Sequence, residues 1–446
     1  MKQQDQNTEQ KTENKPAERK KTSLVRSAAQ SLKSTVKKRT DAYLERRVEN
    51  LLKHDTALTE PLHGDPSEVS RPILEKGSVD GWFLLFAVLL TVFGAIMSYS
   101  ASSIYALQEY GDPMYVFKRY LFYAIAASLF TLLIILFATP QMWKGVSIAI
   151  YGASVILLLL VLVVGSRFSG AQRWIDLGFI TLQPSEIAKT GVVMMLALYL
   201  SAHEKQVTSK SKWGGSFRHG VLMPGIIIGI IIVLVMLEKH ISGIMIIGMI
   251  SVAVLFVGGT RMKWLGSIGG AIVGMGALLI LCFPYARARV ESWINLESDP
   301  LGDGWQTLQG LNAIGSGSLF GVGLGNSNQK YGYVSEPQND FIFSIICEEL
   351  GFIGAALTVF LFGCLVFRGF KIAAKAPNRF CALTVYGLSF KVALQAALNI
   401  AVVTNMMPNT GISLPFFSSG GTSLALQIFE IGIILSISRF SALKKE

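Results

Sequence analysis

Gln183-Pro184-Ser185-Glu186-Ile187-Ala188-Lys189 sets a carboxylate and an ammonium three residues apart at the head of an apolar stretch. On a helix that spacing puts both groups on one face, about one turn apart. Pro184 suits the first helical turn, where its missing N–H leaves no bond unmade. Charge inside an apolar segment is costly, so such a pair marks a functional site or a buried ion pair that only fixes helix register. Glu348 and Glu349 pose the same question roughly two turns beyond Asp340. Either could face the same cavity as Glu186 or pair with Lys189. Asp299-Pro300-Leu301-Gly302-Asp303-Gly304 would hold a carboxylate on irregular backbone, since Pro300 disfavours helix at Asp299 and the glycines permit a tight turn. Asp-Pro-x-Gly is also a common turn with no chemistry attached. Lys118, Arg119, Arg167, Arg173, Lys239, Arg287, Arg289 and Lys330 stand at the ends of apolar segments. Carboxylates beside such cations suit a general base and an anionic, phosphate-bearing ligand. The plainer reading makes many of these cations headgroup anchors.

The elements that position these residues are membrane spans. Of 446 residues, 51% are hydrophobic and 15% charged, against about 25% charged in soluble domains. Mean hydropathy is +0.47. Ser147 to Gly165 and Val221 to Leu237 carry no charge and approach the roughly 20 residues that cross a bilayer. A soluble protein could bury one such helix, not a series. The fold expected is an all-α integral membrane protein of about ten spans: 82–103, 117–139, 145–165, 184–201, 221–238, 241–258, 264–284, 340–367, 380–406 and 414–438. Only Glu238, Lys239 and His240 separate the fifth and sixth, which predicts a tight helical hairpin. Lys391, in the ninth span, is expected to snorkel toward the inner surface.

Loop charge sets the orientation. Lys205, Lys210, Lys212, Arg218, Arg261, Lys263, Arg368, Lys371, Lys375, Arg379, Arg439, Lys444 and Lys445 fall on the side of the amino-terminal tail. The positive-inside rule therefore predicts both termini in the cytoplasm. It turns the long loop of about 285–339, with Glu291, Glu297, Asp299, Asp303 and Glu336, outward. A loop of that length is more often functional than a connector. Residues 1–79 read as a separate cytoplasmic tail, disordered at first and basic from Lys15 to Lys53, with apolar residues at helical spacing. It suits an anionic membrane surface, a solvated helix or a partner-binding segment. Residues 80–440 form the membrane domain and 441–446 a short cytoplasmic tail. Cys282, Cys347, Cys364 and Cys381 lack zinc or disulfide spacing and read as small apolar residues.

The motifs run in a distinctive order along residues 80–440. They are Gly111-Asp112-Pro113 with Phe117-Lys118-Arg119, Gly170-Ala171-Gln172-Arg173-Trp174-Ile175, and the Gln183 to Lys189 run. Asp299-Pro300-Leu301-Gly302, Ala313-Ile314-Gly315-Ser316-Gly317 and Gly321-Val322-Gly323-Leu324-Gly325-Asn326-Ser327 follow, then Gln329-Lys330. Next come Asn339-Asp340-Phe341-Ile342-Phe343, Glu348-Glu349-Leu350-Gly351, Pro408-Asn409-Thr410-Gly411 and Leu414 to Ser423. In these the chain resembles the SEDS proteins (shape, elongation, division and sporulation), which include FtsW, RodA and SpoVE. Asn339 and Asn409 stand where other residues are common, and Phe417-Ser418-Ser419 replaces a more usual Ile-Ser-Tyr.

The resemblance implies a ten-span peptidoglycan glycosyltransferase of the bacterial cytoplasmic membrane that polymerises lipid II on its outer face. The family's essential loop aspartate falls on Asp299, implied to activate the acceptor hydroxyl directly or with a divalent metal, Mg or Mn. Arg119, Arg173, Glu186, Lys189, Lys330 and Asp340 match motif positions implied to bind substrate. The implied partners are lipid II, the growing glycan strand, a class B penicillin-binding protein acting as transpeptidase, other divisome proteins and membrane lipids, with no nucleic acid. The pattern favours the FtsW-like division branch. Two other functions fit intramembrane charge: a lipid II flippase, and a non-catalytic scaffold for a transpeptidase.

Overall fold

The computed structural model describes residues 77–168, 171–176, 178, 181–209, 216–282, 284–296, 303–334 and 336–441. Asp299 and residues 1–76 and 442–446 lie outside the described residues. Helices dominate: α1 Gly81–Tyr110, α2 Tyr115–Phe137, α3 Pro140–Val164, α4 Pro184–Ala202, α5 Met223–Leu237, α6 Ile241–Val257 and α7 Met262–Cys282. Then come α8 Pro284–Ile294, α9 Asp303–Ser316, α10 Ile342–Ala374, α11 Arg379–Val403 and α12 Gly421–Ser441. Starts and stops follow local chemistry. The Asp80 carboxylate accepts the Phe83 N–H at 3.0 Å, Thr139 caps α3 ahead of Pro140, and Asn378 accepts the Cys381 N–H at 2.9 Å. Gly111, at φ 69°, closes α1.

Each expected span contains a helix. Among the described residues eight helices are long and apolar enough to cross a membrane, while Ile241–Val257 is a shorter apolar helix of 17 residues. This is a multi-pass membrane protein. Phe137 and Val163 are 73% and 82% exposed, as are many neighbouring apolar side chains in part. Such a surface belongs in lipid, not water. The most hydropathic windows of α4, α11 and α12 are 67%, 67% and 78% buried, against 22% for α3. These three make the centre of the bundle, where protein rather than lipid surrounds each side chain. That surrounding lets them carry paired charges deep in the fold.

Three expectations change. The last span does not begin at Leu414, because residues 414–420 form a turn and α12 starts at Gly421. The segment 285–339 is not one irregular loop, since it contains α8 and α9. The buried face of α9 is Gly304, Thr307, Gln309, Gly310 and Ala313, small or polar residues that a hydrophobic pattern does not register. Between α3 and α4 the chain forms a three-stranded antiparallel sheet, β1 Ser166–Phe168, β2 Ala171–Asp176 and β3 Thr181–Leu182, with β2 central.

One helix is broken. Within α10, Gly351 takes φ 66° and ψ −163°, and the helix kinks there. The backbone groups freed by the break are taken up by the chain that follows α9. Val322 and Gly323 N–H groups donate to the Glu348 and Glu349 carbonyls at 2.9 and 3.0 Å. Phe352 N–H donates to the Ser318 carbonyl at 2.9 Å and Ile353 N–H to the Leu319 carbonyl at 3.3 Å. Non-helical backbone inside a membrane domain persists only where its polar groups are satisfied in this way.

Candidate functional site

Two ion pairs occupy the bundle centre. Lys189 Nζ lies 2.6 Å from Glu186 Oε1, both buried on α4 as the spacing predicts. Lys391 of α11 lies 2.5 Å from Glu430 of α12, and the Thr190 hydroxyl donates to the same Glu430 oxygen. Lys391 therefore does not snorkel inward. It is fully buried, and a carboxylate on the facing helix holds it. Glu430 was missed by sequence reasoning, although a carboxylate inside an expected span carries the same signal as Glu186.

Glu348 and Glu349 do not partner Lys189. They flank the break in α10 and hold the turn before it. Glu349 accepts the Ser100 hydroxyl at 2.6 and 2.8 Å, the Ser327 N–H at 3.3 Å and the Lys330 ammonium at 3.1 Å. Glu348 accepts the Ser327 hydroxyl at 2.5 Å and the Asn328 N–H at 2.9 Å. Lys330 also donates to the Gly325 carbonyl at 2.6 Å. Both carboxylates are nearly inaccessible and heavily bonded, so this cluster secures residues 317–330 against α1 and α10.

The remaining matched residues gather at the end of the bundle that carries the sheet. The Arg119 guanidinium donates to Thr181 Oγ1 at 3.2 Å, while the Thr422 hydroxyl donates to the Thr181 carbonyl at 2.8 Å. Strand β3 is thus pinned between α2 and α12. Arg173, on β2, donates to the Lys239 carbonyl at 2.7 Å, which lays its charge on the α5–α6 hairpin. That hairpin is as tight as predicted, with Lys239 at φ 56°. Ser242, on the first turn of α6, donates to the Thr410 carbonyl. Beside Thr410, a Cβ on Gly411 would stand 3.2 Å from Asp340 Oδ2, so the Asp340 carboxylate lies against that turn. Asp340 is also fixed through its carbonyl, which accepts Asn399 Nδ2 at 2.7 Å.

Residues on the hairpin itself have unusual surroundings. Glu238 and His240 are 1% and 9% exposed. Burial pushes the Glu238 carboxyl up to about 8, with Arg173 pulling the other way. Burial, then Arg173 and Lys189, push the His240 imidazole down to about 3, while Glu186 opposes them. Through His240 the hairpin stands in electrostatic reach of the Glu186–Lys189 pair. Arg173, Glu186 and Lys189 thus share one neighbourhood through His240, and Asp340 adjoins the Thr410–Gly411 turn that Ser242 contacts. Arg119 holds the edge strand β3 through Thr181, and Lys330 belongs to the α10 cluster.

Two of the unusual motif positions compensate each other. The Ser419 hydroxyl donates to Asn339 Oδ1 at 2.5 Å, and the Ser418 hydroxyl donates to the Asn339 carbonyl at 2.9 Å. Asn409 donates to Gln306 Oε1 of α9 at 3.2 Å.

Among the described residues no three His, Cys, Asp or Glu side chains converge as a metal site. Magnesium can bind through one or two carboxylates plus substrate phosphates, so a shared site at Asp299 and a diphosphate would need no such cluster.

The chain matches a family described as cell cycle protein, the family of FtsW, RodA and SpoVE, over residues 81–443. It is 37% identical to stage V sporulation protein E of Bacillus subtilis (strain 168), over 82% of this chain and 99% of that one. It is 35% identical to the probable peptidoglycan glycosyltransferase FtsW of Coxiella burnetii (strain RSA 493 / Nine Mile phase I), over 81% of this chain and 96% of that one. Among solved structures, a chain of a peptidoglycan synthase complex that coordinates polymerization and crosslinking superposes with TM-score 0.66 and 26% identity, covering 82% of this chain and 98% of that one. The rod shape determining protein RodA of Thermus thermophilus gives 0.60 and 25%, covering 84% and 98%.

Proposed function

Because the chain belongs to the FtsW, RodA and SpoVE family of cell cycle proteins, we propose that it is a peptidoglycan glycosyltransferase that polymerises lipid II on the outer face of the bacterial cytoplasmic membrane. The observation that carries this reading is the gathering of Arg173, Glu186 and Lys189 around His240 at one end of the bundle, with Asp340 against the Gly411 turn. Asp299 takes the proton of the acceptor sugar hydroxyl as that oxygen attacks the anomeric carbon of the growing glycan. A new glycosidic bond forms, the bond to the diphosphate breaks, and its electron pair leaves with undecaprenyl diphosphate. Arg173 and Lys189 meet the charge that develops on the leaving group, and Arg119 acts at one remove by holding strand β3 through Thr181. Glu186 holds Lys189 in place, and Asp340 lines the acceptor side. Lys330 acts at one remove, through Glu349. A divalent metal, if held at Asp299 with the diphosphate, would supply further charge neutralisation there.

The test is purified protein with its cognate transpeptidase, incubated with lipid II and assayed for glycan strands. Strands support the polymerase. Transfer of lipid II between vesicle leaflets without strands supports the flippase instead. A class B penicillin-binding protein is the partner proposed, supported by the synthase complex whose fold this chain shares. The physiological role proposed is septal wall synthesis. Depletion should stop septation, and depletion that alters only rod shape or sporulation would move the chain to another branch.

Orientation has its own test. In a cysteine-free background, Ser316→Cys should react with an impermeant thiol reagent added outside cells, and Lys205→Cys should not. Both positions are exposed. The reverse pattern would put the site in the cytoplasm and remove lipid II polymerisation outside as an option.

A further inference from the structure

The α5–α6 hairpin buries polar atoms that the fold itself does not use. Both Glu238 carboxyl oxygens, His240 Nδ1 and Thr410 Oγ1 are buried with no hydrogen-bond partner among the protein's groups. The backbone beneath them is satisfied: Glu238, Lys239 and His240 N–H groups donate to Leu234, Met236 and Val235 carbonyls at 3.3, 3.0 and 3.2 Å. Leaving a buried donor or acceptor unmade costs about 1–3 kcal/mol each. Several together on one three-residue turn, itself strained at Lys239, mark a place shaped for something other than stability.

We propose that Glu238, His240 and Thr410, with Arg173 beside them, form a saccharide subsite that hydrogen-bonds hydroxyl or amide groups of the lipid-linked substrate. This rests on the polymerase reading above and adds a part of the substrate to it. The chemistry selects a neutral, polyfunctional ligand. A cation would meet Arg173 and the nearby Lys189 charge. A phosphate would meet the nearby Glu186 carboxylate. A sugar hydroxyl or amide both donates and accepts. That matches a carboxyl whose proton burial favours, an imidazole whose charge burial disfavours and a threonine hydroxyl, each with a polar atom left unpartnered. The neighbourhood also adjoins Asp340 through Gly411, so a sugar seated here lies next to the matched site residues.

The experiment is Glu238→Leu, read in three ways. With no internal partner to lose, an apolar side chain of similar size should raise the thermal midpoint of the detergent-solubilised protein by a few degrees. In the polymerisation assay with the cognate transpeptidase, KM for lipid II should rise about tenfold, with a smaller change in kcat. In a catalytically silenced Asp299→Asn background, Kd for lipid II should weaken by the same factor. Glu238→Gln, which keeps a donor and an acceptor, should lose about threefold. A raised midpoint with KM and Kd unchanged overturns the subsite and leaves the polymerase standing. A lowered midpoint means the carboxyl is a structural partner of Arg173, and overturns it too. A wild-type protein that makes no strands overturns the parent reading and this one with it.

Discussion

Replacing Asp299 by Asn is expected to lower lipid II polymerisation by about 100- to 10,000-fold, the usual effect of losing a general base. Folding and transpeptidase binding should be unchanged. The exchange is nearly isosteric, and an amide cannot take the proton of the acceptor hydroxyl. Asp299 lies in the sequence between α8 and α9, directly before Pro300, and is the residue proposed to take the acceptor's proton. The control is Asp303→Asn. Asp303 is the first residue of α9 and belongs to the same sequence turn as Asp299. Its loss should move stability slightly and polymerisation by no more than a few-fold. Glycan strands are counted by gel after digestion-free extraction, with expression level and complex formation measured on the same samples. An Asp299→Asn protein that polymerises at the wild-type rate would remove the catalytic role and favour the flippase.

Much of the scaffold could be read without coordinates, because lipid imposes a simple rule. A stretch such as Ser147 to Gly165 has no charge and spans a bilayer's thickness, so its helix follows from composition. The Glu186–Lys189 pair followed from helical spacing alone, and the two observed ends agree with it at 2.6 Å. Pairing between distant segments was another matter. Nothing local says that Lys391 meets Glu430, or that Lys330 rather than Lys189 answers Glu349. Those partners are set by which helices pack together, and a single sequence carries no record of that. The α5–α6 hairpin was legible as a turn but not as a site. Its distinguishing feature is burial of Glu238 and His240 without partners, and burial is a property of the packed bundle. The sheet at residues 166–182 escaped because its longest strand has six residues, too few for alternation to stand out from a loop. The break in α10 escaped for a different reason. Leu350-Gly351-Phe352 reads as ordinary apolar helix, in which one glycine is tolerated.

That break supplies the second large effect. Gly351→Ala should destabilise the protein by about 3 kcal/mol or more. Gly351 adopts φ 66° and ψ −163°, a backbone region essentially confined to glycine. Space is lacking as well. A Cβ there would stand 2.4 Å from the Gly321 nitrogen and 2.5 Å from the Leu319 carbonyl oxygen. Both are backbone atoms, so no side chain can swing aside to make room. Relief requires residues 317–323 to move off α10, which breaks the four backbone bonds between that segment and residues 348–353. It also loosens Ser327 and Lys330 from Glu348 and Glu349 and leaves two buried carboxylates short of partners. Gly363 is the matched control on the same helix. It is exposed toward lipid, and a Cβ there meets nothing within 4 Å. Gly363→Ala should therefore be neutral or stabilise by about 0.5–1 kcal/mol. Thermal unfolding of the two detergent-solubilised variants, with folded yield from membranes, compares them directly. If Gly351→Ala unfolds at the same temperature as Gly363→Ala, the kink is not held by the 317–323 segment. Then α10 must be able to straighten, and Glu348 and Glu349 do not fix the chain that leads to Asp340.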